Sequence, residues 1–529
     1  MLTFIQRNIY TALANLMFFF CLPAFAQQEY IVFFSDKKHN SYTTDAPENF
    51  LSERSIERRL RQDIPVTEDD IPVSNRYIDS LRFEEGIDVI YASKWLNACL
   101  IKAFPEQLSR VSNYSFVQHI QPADQRHSGV SRHESQQTHQ PAYSYGRSEQ
   151  QLQLHNIPQM HSEGLTGQGI MIAVLDAGFR NADKTVAFQH LFDSDAIPLT
   201  YDFPSNETNV YDDHEHGTLV LSIMAAYAPP TFIGAAFEAS YILLRTEDVS
   251  YESSKEEFYW LLAAELADSA GADILSSSLG YNTFDNVAQN YSYEDMNGLT
   301  TLITWAAEKA FSKGMLVVNS VGNEGNSSWR HLIAPADGPN VLAVGAVNRT
   351  GQFYSTSSRG PSTDGRIKPD VVATGQGTLA ISHTGSLVNV NGTSYSAPLI
   401  SGFAANLWQY EPELTNLELL QKIKESGSQA TNPDNNMGYG IPVYKRTAGI
   451  QTSDARRLFI SNPVNDFIYF INLPFDSFTL IINDLSGKSI TRTALENTLP
   501  FDVSTLASGP YIVSINTKDS IFRQIIIKK

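Results

Sequence analysis

The sequence is poor in cysteine, in positive charge and in long apolar runs. Only two cysteines, Cys21 and Cys99, occur in 529 residues. That excludes a disulfide-stapled scaffold and any metal site built on four thiolates. Lys and Arg number 38 against 57 Asp and Glu, a formal net charge of -19. This balance disfavours a nucleic-acid binder, which must neutralise phosphates, so no nucleic-acid partner is expected. Charged residues are only 18% of the chain, which argues against wholesale disorder. Beyond the first residues no segment is apolar for the ~20 positions a membrane span requires.

What is present supports folded domains. Hydrophobic residues make up 42%, enough for sizeable cores. At roughly 150 residues per domain, the length suggests three or four units. Residues 1–26 read as a secretory signal peptide. Arg7 supplies the positive charge, Leu16, Met17, Phe18, Phe19, Phe20 and Leu22 the apolar stretch, and Ala24-Phe25-Ala26 the cleavage site. The mature protein is therefore expected to be exported and soluble.

Three further segments follow. Residues 27–121 mix strand-like runs, such as Ile31-Val32-Phe33-Phe34 and Ala98-Cys99-Leu100-Ile101, with an amphipathic, solvated helix predicted from Phe50 to Arg61. Residues 122–147 form a polar linker with scattered His127, His133 and His139. Residues 148–450 alternate apolar strands (Ile170 to Leu175, Tyr241 to Leu244, Ile274 to Ser278, Met315 to Asn319, Val341 to Val347) with helices such as Glu256 to Ala270 and Leu299 to Lys313. Continuous apolar strands separated by helices predict an α/β fold, a mostly parallel sheet covered on both faces. Residues 455–529 carry strand-like runs from Phe467 to Ile471, Phe478 to Ile482, Tyr511 to Ile515 and Ile521 to Ile527. Turn signals separate them, so a small β-sandwich is expected.

Four motifs in the α/β segment carry chemistry. An apolar strand ends in Asp176, followed by Ala177 and Gly178. Alone, such an Asp is as well explained as a turn former. His214-Glu215-His216-Gly217-Thr218 opens a helix whose Leu219, Val220, Ile223 and Met224 share a face. A lone His there could be a cap, and the Asp212 to His216 cluster lacks the i, i+4 His spacing of a helical metal site. Val317 to Gly325 runs a strand into a turn bearing Asn323, either a turn residue or an amide donor. Asn391-Gly392-Thr393-Ser394 places Ser394 at a helix start, where an ordinary N-cap would also fit. Taken together, the four supply a nucleophile, its base, the acid that orients the base, and an oxyanion donor. They occur in the order Asp, His, Asn, Ser, and no G-x-S-x-G elbow is present.

On these motifs, residues 148–450 resemble the catalytic domain of a subtilisin-like serine peptidase, a subtilase. The resemblance implies Ser394 as nucleophile, His216 as general base, Asp176 as the carboxylate that orients it, and Asn323 as oxyanion donor beside the Ser394 N–H. It further implies that Ser278-Leu279-Gly280 forms the substrate-binding edge, and Ser320-Val321-Gly322 the opposite pocket wall. Substrates would be proteins or peptides, with no cofactor required. The family's usual calcium loop is represented only by Tyr227 to Ile233, short and bearing Pro229-Pro230. Calcium is thus not supported there, and a structural calcium at another position stays open. No metal-binding residue is assigned.

The flanks fit the same family. Residues 27–121 resemble the prosegment of secreted subtilases of the Bacteroidetes type, on Pro47-Glu48-Asn49-Phe50, the Arg-rich helix and Lys94-Trp95-Leu96-Asn97. A zymogen inhibited by its own prosegment is implied. Residues 455–529 resemble a type IX secretion sorting domain, on Asn462-Pro463-Val464, Asp484 to Lys488, Leu506 to Tyr511 and the basic end Lys528-Lys529. The secretion machinery is then a partner, and the destination is the medium or the cell surface. A monomer is expected. The competing reading is a catalytically inactive surface binding protein on the same scaffold, distinguished by failure of the serine to react with a fluorophosphonate.

Overall fold

The computed structural model describes residues 27–123 and 145–445, and beyond them 459–460, 467–468, 470–471, 477–483, 488–496, 501–516 and 521–528. The expected signal peptide and most of the polar linker, with His127, His133 and His139, lie outside the described residues. The chain divides into two compact units, 1–445 and 446–529.

Apolar residues at alternate positions build the N-terminal sheet. Strands β1 (Gln28–Phe34), β2 (Asp88–Ser93), β3 (Ala98–Ala103) and β4 (Val117–Pro122) pair antiparallel in the order β2-β3-β1-β4, with helices α1 (Glu53–Arg61) and α2 (Asn75–Arg82) between β1 and β2. Successive strand residues point to opposite faces. Tyr30, Val32, Phe34, Cys99 and Ile101 therefore pack against Tyr77, Ile78 and Leu81 of α2 in a core of their own. Cys99 is a free, buried thiol. Burial raises its pKa. Ile31, Ala98 and Leu100 belong to a different cluster, described below.

The larger sheet contains β5 (Met171–Asp176), β6 (Leu199–Asp202), β9 (Ser240–Arg245), β10 (Ile274–Ser277), β11 (Leu316–Ser320), β12 (Leu342–Asn348), β13 (Val371–Ile381) and β14 (Leu387–Asn391). A small hairpin supplies β7 (Tyr227–Ala228) and β8 (Phe232–Ile233). The spatial order is β14-β13-β12-β11-β10-β5-β9-β6. Neighbours from β6 to β13 run parallel, and β14 returns antiparallel. The longer helices are α3 (His216–Ala225), α4 (Lys255–Ala270), α5 (Leu302–Ser312), α6 (Ala397–Tyr410) and α7 (Asn416–Glu425). Ile172 and Val174 of β5 share a core with Val220 and Ile223 of α3 and with Ile400 and Phe403 of α6. Ala173 and Leu175 share the other core with Leu261 and Ala264 of α4 and with Ile303 and Ala307 of α5. Both faces are covered, which is why these strands are apolar throughout.

The N-terminal sheet docks on that second core, where Ile31, Ala98 and Leu100 join α4. Helix α1 is not solvated as its composition suggested. Its start is capped by Ser52, whose side chain accepts from Ser55 N at 3.1 Å. Arg58 and Arg59 are each only 1% exposed. They are buried because Asp268 of α4 lies 2.6 Å from Arg58 Nη2 and 2.8 Å from Arg59 Nη2. Lys94 Nζ reaches the same carboxylate at 3.0 Å. Burial alone would raise the Asp268 pKa, but Lys94, Arg58 and Arg59 outweigh it and hold it at about 2. Glu265, one turn earlier, accepts from Ser93 Oγ at 2.6 Å, Lys94 N at 2.9 Å and Trp95 N at 3.0 Å. It caps the turn between β2 and β3.

In the C-terminal unit, strands 489–496, 477–483, 509–516 and 521–528 form a four-stranded antiparallel sheet in that order. Short pairs join 459–460 with 470–471 and 467–468 with 501–502. Phe478, Leu480, Ile482, Val513, Ile515 and Ile526 pack together. Among the described residues no helix is long and apolar enough to cross a membrane.

Candidate active site

The carboxyl ends of β5, β10 and β11 open on one edge of the sheet, where parallel α/β folds leave room for ligands. Asp176 ends β5 and is fully buried. Its Oδ1 accepts from Ala177 N at 2.8 Å and lies 2.8 Å from His216 Nδ1. His216 begins α3, and glycine brings it that close. A Cβ on Gly217 would stand 2.5 Å from Gly178 O and 3.0 Å from Asp176 Cβ. With no side chain at 217, the helix start can rest against the strand end. Burial alone would lower the His216 pKa, but the charge and hydrogen bond of Asp176 raise it above its ordinary value.

Ser394 lies in the single 3-10 turn Thr393–Tyr395, entered through Gly392 at φ 143°. Few residues other than glycine tolerate that backbone. Ser394 Oγ donates to Ser278 O at 3.3 Å, and Ser278 Oγ donates to Ser394 O at 2.8 Å. The serine turn and the segment after β10 are thus tied in both directions. Asn323 Oδ1 accepts from Thr393 N at 2.9 Å and Thr393 Oγ1 at 3.2 Å. With its oxygen engaged, the amide has its NH₂ free to donate.

One cavity of about 300 Å³ collects these groups: His216, Ser278, Leu279, Gly280, Ser320, Gly322, Asn323 and Ser394 all line it. Val321 does not. Its side chain is fully buried in the core with Leu332 and Ala334. The cavity also holds His214, weighed in the sequence only as a metal ligand or surface residue, and three acids not singled out there, Glu247, Glu252 and Glu256. Burial first, and mutual repulsion second, push Glu247 to about 8 and Glu256 to about 11. Their carboxylates and that of Glu252 come within 4.8 Å of one another. These acids are spread over ten positions of loop and helix, so only the fold reveals them as a group. Tyr395, directly after Ser394, places its ring 5.6 Å from that of His216.

The segment that replaces the family's calcium loop does not fit the ion. Tyr227 to Ile233 contains no carboxylate or amide side chain. Two of its carbonyls are engaged: Ala228 O accepts from Thr231 N at 2.8 Å and Thr231 O from Arg147 N at 3.1 Å. The His214–His216 cluster gathers no third ligand among the described residues.

His216, hydrogen-bonded to a buried carboxylate, and Ser394 line the same strand-edge cleft, and these are the group types that acyl transfer uses. Comparison with known proteins is in keeping with this class. The subtilase family model matches residues 167–440, just over half the chain. A propeptide model for peptidase S8 of Bacteroidota matches 29–141, and a secretion system C-terminal sorting domain matches 461–528. Subtilisin E of Bacillus subtilis (strain 168) is 30% identical over 298 residues, 56% of this chain and 69% of that protein. Subtilisin of Bacillus pumilus is 30% identical over 297 residues, 56% of this chain and 95% of that protein. A solved structure of MycP1 from Mycobacterium smegmatis aligns with 62% of this chain and 93% of its own at TM-score 0.46 and 21% identity. The chain belongs to the subtilase family. It is a serine endopeptidase with its own propeptide and a C-terminal sorting domain, and its place is outside the cell, secreted or on the surface.

Proposed function

We propose that this peptidase cleaves peptide bonds through an acyl-enzyme on Ser394. His216 takes the Ser394 proton as Oγ attacks the scissile carbonyl. Asp176 orients the ring and stabilises the imidazolium that forms. The developing oxyanion receives N–H groups from the Asn323 side chain and the Ser394 backbone, a contribution of roughly 10²–10³ in kcat per donor. His216 then protonates the departing amine, and water completes hydrolysis by the reverse proton path. An extended substrate pairs with Ser278-Leu279-Gly280, with the side chain before the scissile bond between that edge and Ser320 to Gly322. No cofactor enters these steps. The enzyme works as a monomer, held inactive by residues 27–121 until they are cleaved.

The observation that carries this reading is the 2.8 Å Asp176–His216 hydrogen bond in a cavity shared with Ser394 and Asn323. Ser394→Ala is expected to abolish hydrolysis of a denatured protein and labelling by a fluorophosphonate, with the fold intact by circular dichroism. Undiminished activity in that variant would overturn the assignment.

A further inference from the structure

Strands β10 and β11 run parallel and in register up to the pair Ser277↔Asn319. Beyond that rung they diverge. Leu279 and Gly280 then line one side of the cavity, and Ser320 and Gly322 the other. The gap between two diverging strands has no backbone hydrogen bonds to fix its width. Asn319 supplies them from a side chain. It is fully buried at the fork. Its Nδ2 donates to Leu279 O on one strand at 2.9 Å and to Ser320 O on the other at 2.8 Å.

We propose that Asn319 is a positioning residue that sets the width of the slot for the side chain preceding the scissile bond. The inference rests on the reading of Ser278 to Gly280 and Ser320 to Gly322 as the slot walls. Three observations support it. First, the amide bridges both walls at the point where the main-chain ladder ends, so it is the last tie before the opening. Second, it acts on a carbonyl that faces away from the cleft. In an extended chain successive carbonyls alternate in direction. Holding Leu279 O inward turns its neighbour Ser278 O towards the cleft, where Ser394 Oγ meets it at 3.3 Å. The groups that pair with a substrate strand are thereby presented. Third, Asn319 Oδ1 is buried without a hydrogen-bond partner among the described residues. A residue kept for packing alone would avoid that cost, so the amide is held here for its donors.

The rest of the edge is anchored independently. Tyr281 N donates to Ala334 O at 2.8 Å, and Ala334 N to Tyr281 O at 3.2 Å. Loss of the Asn319 bridge should therefore loosen Leu279 and the slot without dismantling the segment or displacing Asp176, His216 and Ser394.

The test compares the processed full-length enzyme with Asn319→Leu and Asn319→Ala, which differ in volume but both lack the donors. Two readouts are taken. The rate of fluorophosphonate labelling reports Ser394 and His216 without filling the slot. Hydrolysis of one peptide carrying Ala, Leu or Phe before the scissile bond reports the slot. In both variants labelling should stay within about twofold of the parent. The ratio of kcat/KM for Phe over Ala should rise roughly tenfold, the scale on which pockets discriminate side chains, and the change should lie mainly in KM. An unchanged preference in both variants, a shift in Ala alone, or labelling that falls in step with hydrolysis would each overturn the proposal. Absence of labelling in the parent would instead overturn the reading of Ser394 on which it rests.

Discussion

His216 sits between two opposing influences, burial and the Asp176 carboxylate, and the carboxylate prevails. In the mechanism proposed above, His216 must be neutral to accept the Ser394 proton. A pKa raised above the ordinary 6.5 therefore puts the acid limb of the kcat/KM profile above pH 6.5. Asp176→Asn leaves only the smaller influence of Glu215 against burial. That variant should move the limb to lower pH and reduce kcat by about 10⁴, as read from pH–rate profiles on a small peptide. At this scale the sequence was most legible where chemistry dictates residue type. Asp176, His216, Asn323 and Ser394 each stand at a strand end, helix start or glycine turn, and it was their combination and the family resemblance that singled them out. Glu247, Glu252 and Glu256 carry no such mark. Val321 was assigned to the pocket wall by the family resemblance, yet its side chain is buried in the core.

Elements add what residues alone conceal. Helix α1 was legible as a helix, but its arginines looked solvated because their partner lies some two hundred positions on. Asp268→Ala would leave Arg58, Arg59 and Lys94 buried around an absent charge. Breaking such a cluster costs about 3–5 kcal/mol. The loss should appear in the urea midpoint of an unprocessed Ser394→Ala chain and nearly vanish once residues 27–121 are removed. A similar loss in the processed form would show that Asp268 supports the catalytic domain itself. The sign with pH follows from the lowered carboxylate. Asp268 contributes fully above its ordinary 3.8 and loses that contribution as pH falls towards about 2. Mild acid should therefore leave this interface closed. Strands β6, β13 and β14 escaped the sequence reading. In β13, Gly375 and Gly377 interrupt the apolar run, and β14 alternates with polar residues.

For the whole molecule, the division at residue 445 separates catalysis from delivery. A chain ending there should hydrolyse denatured protein at the parental rate and unfold at the same temperature, yet remain inside the cell envelope on fractionation. Normal surface delivery of the truncated chain would remove the sorting role from residues 455–529. This order of parts was legible because composition changes at each boundary. The pairing of strands in the C-terminal unit was less so: 489–496 mixes Ser, Thr and Arg with few apolar residues.

Cys99 gives maturation a chemical signature. If residues 1–26 are removed it is the last sulfhydryl in the polypeptide, and under the maturation proposed above it leaves with residues 27–121. While β3 is folded, its burial and raised pKa keep it from alkylating agents. It can be tagged only when the departing segment unravels, and the finished enzyme can carry no tag at all. The ageing of a secreted sample is thus readable as a mass shift confined to the discarded piece. If both cleavages occur, the finished enzyme has no sulfhydryl left to oxidise or cross-link in oxidising surroundings.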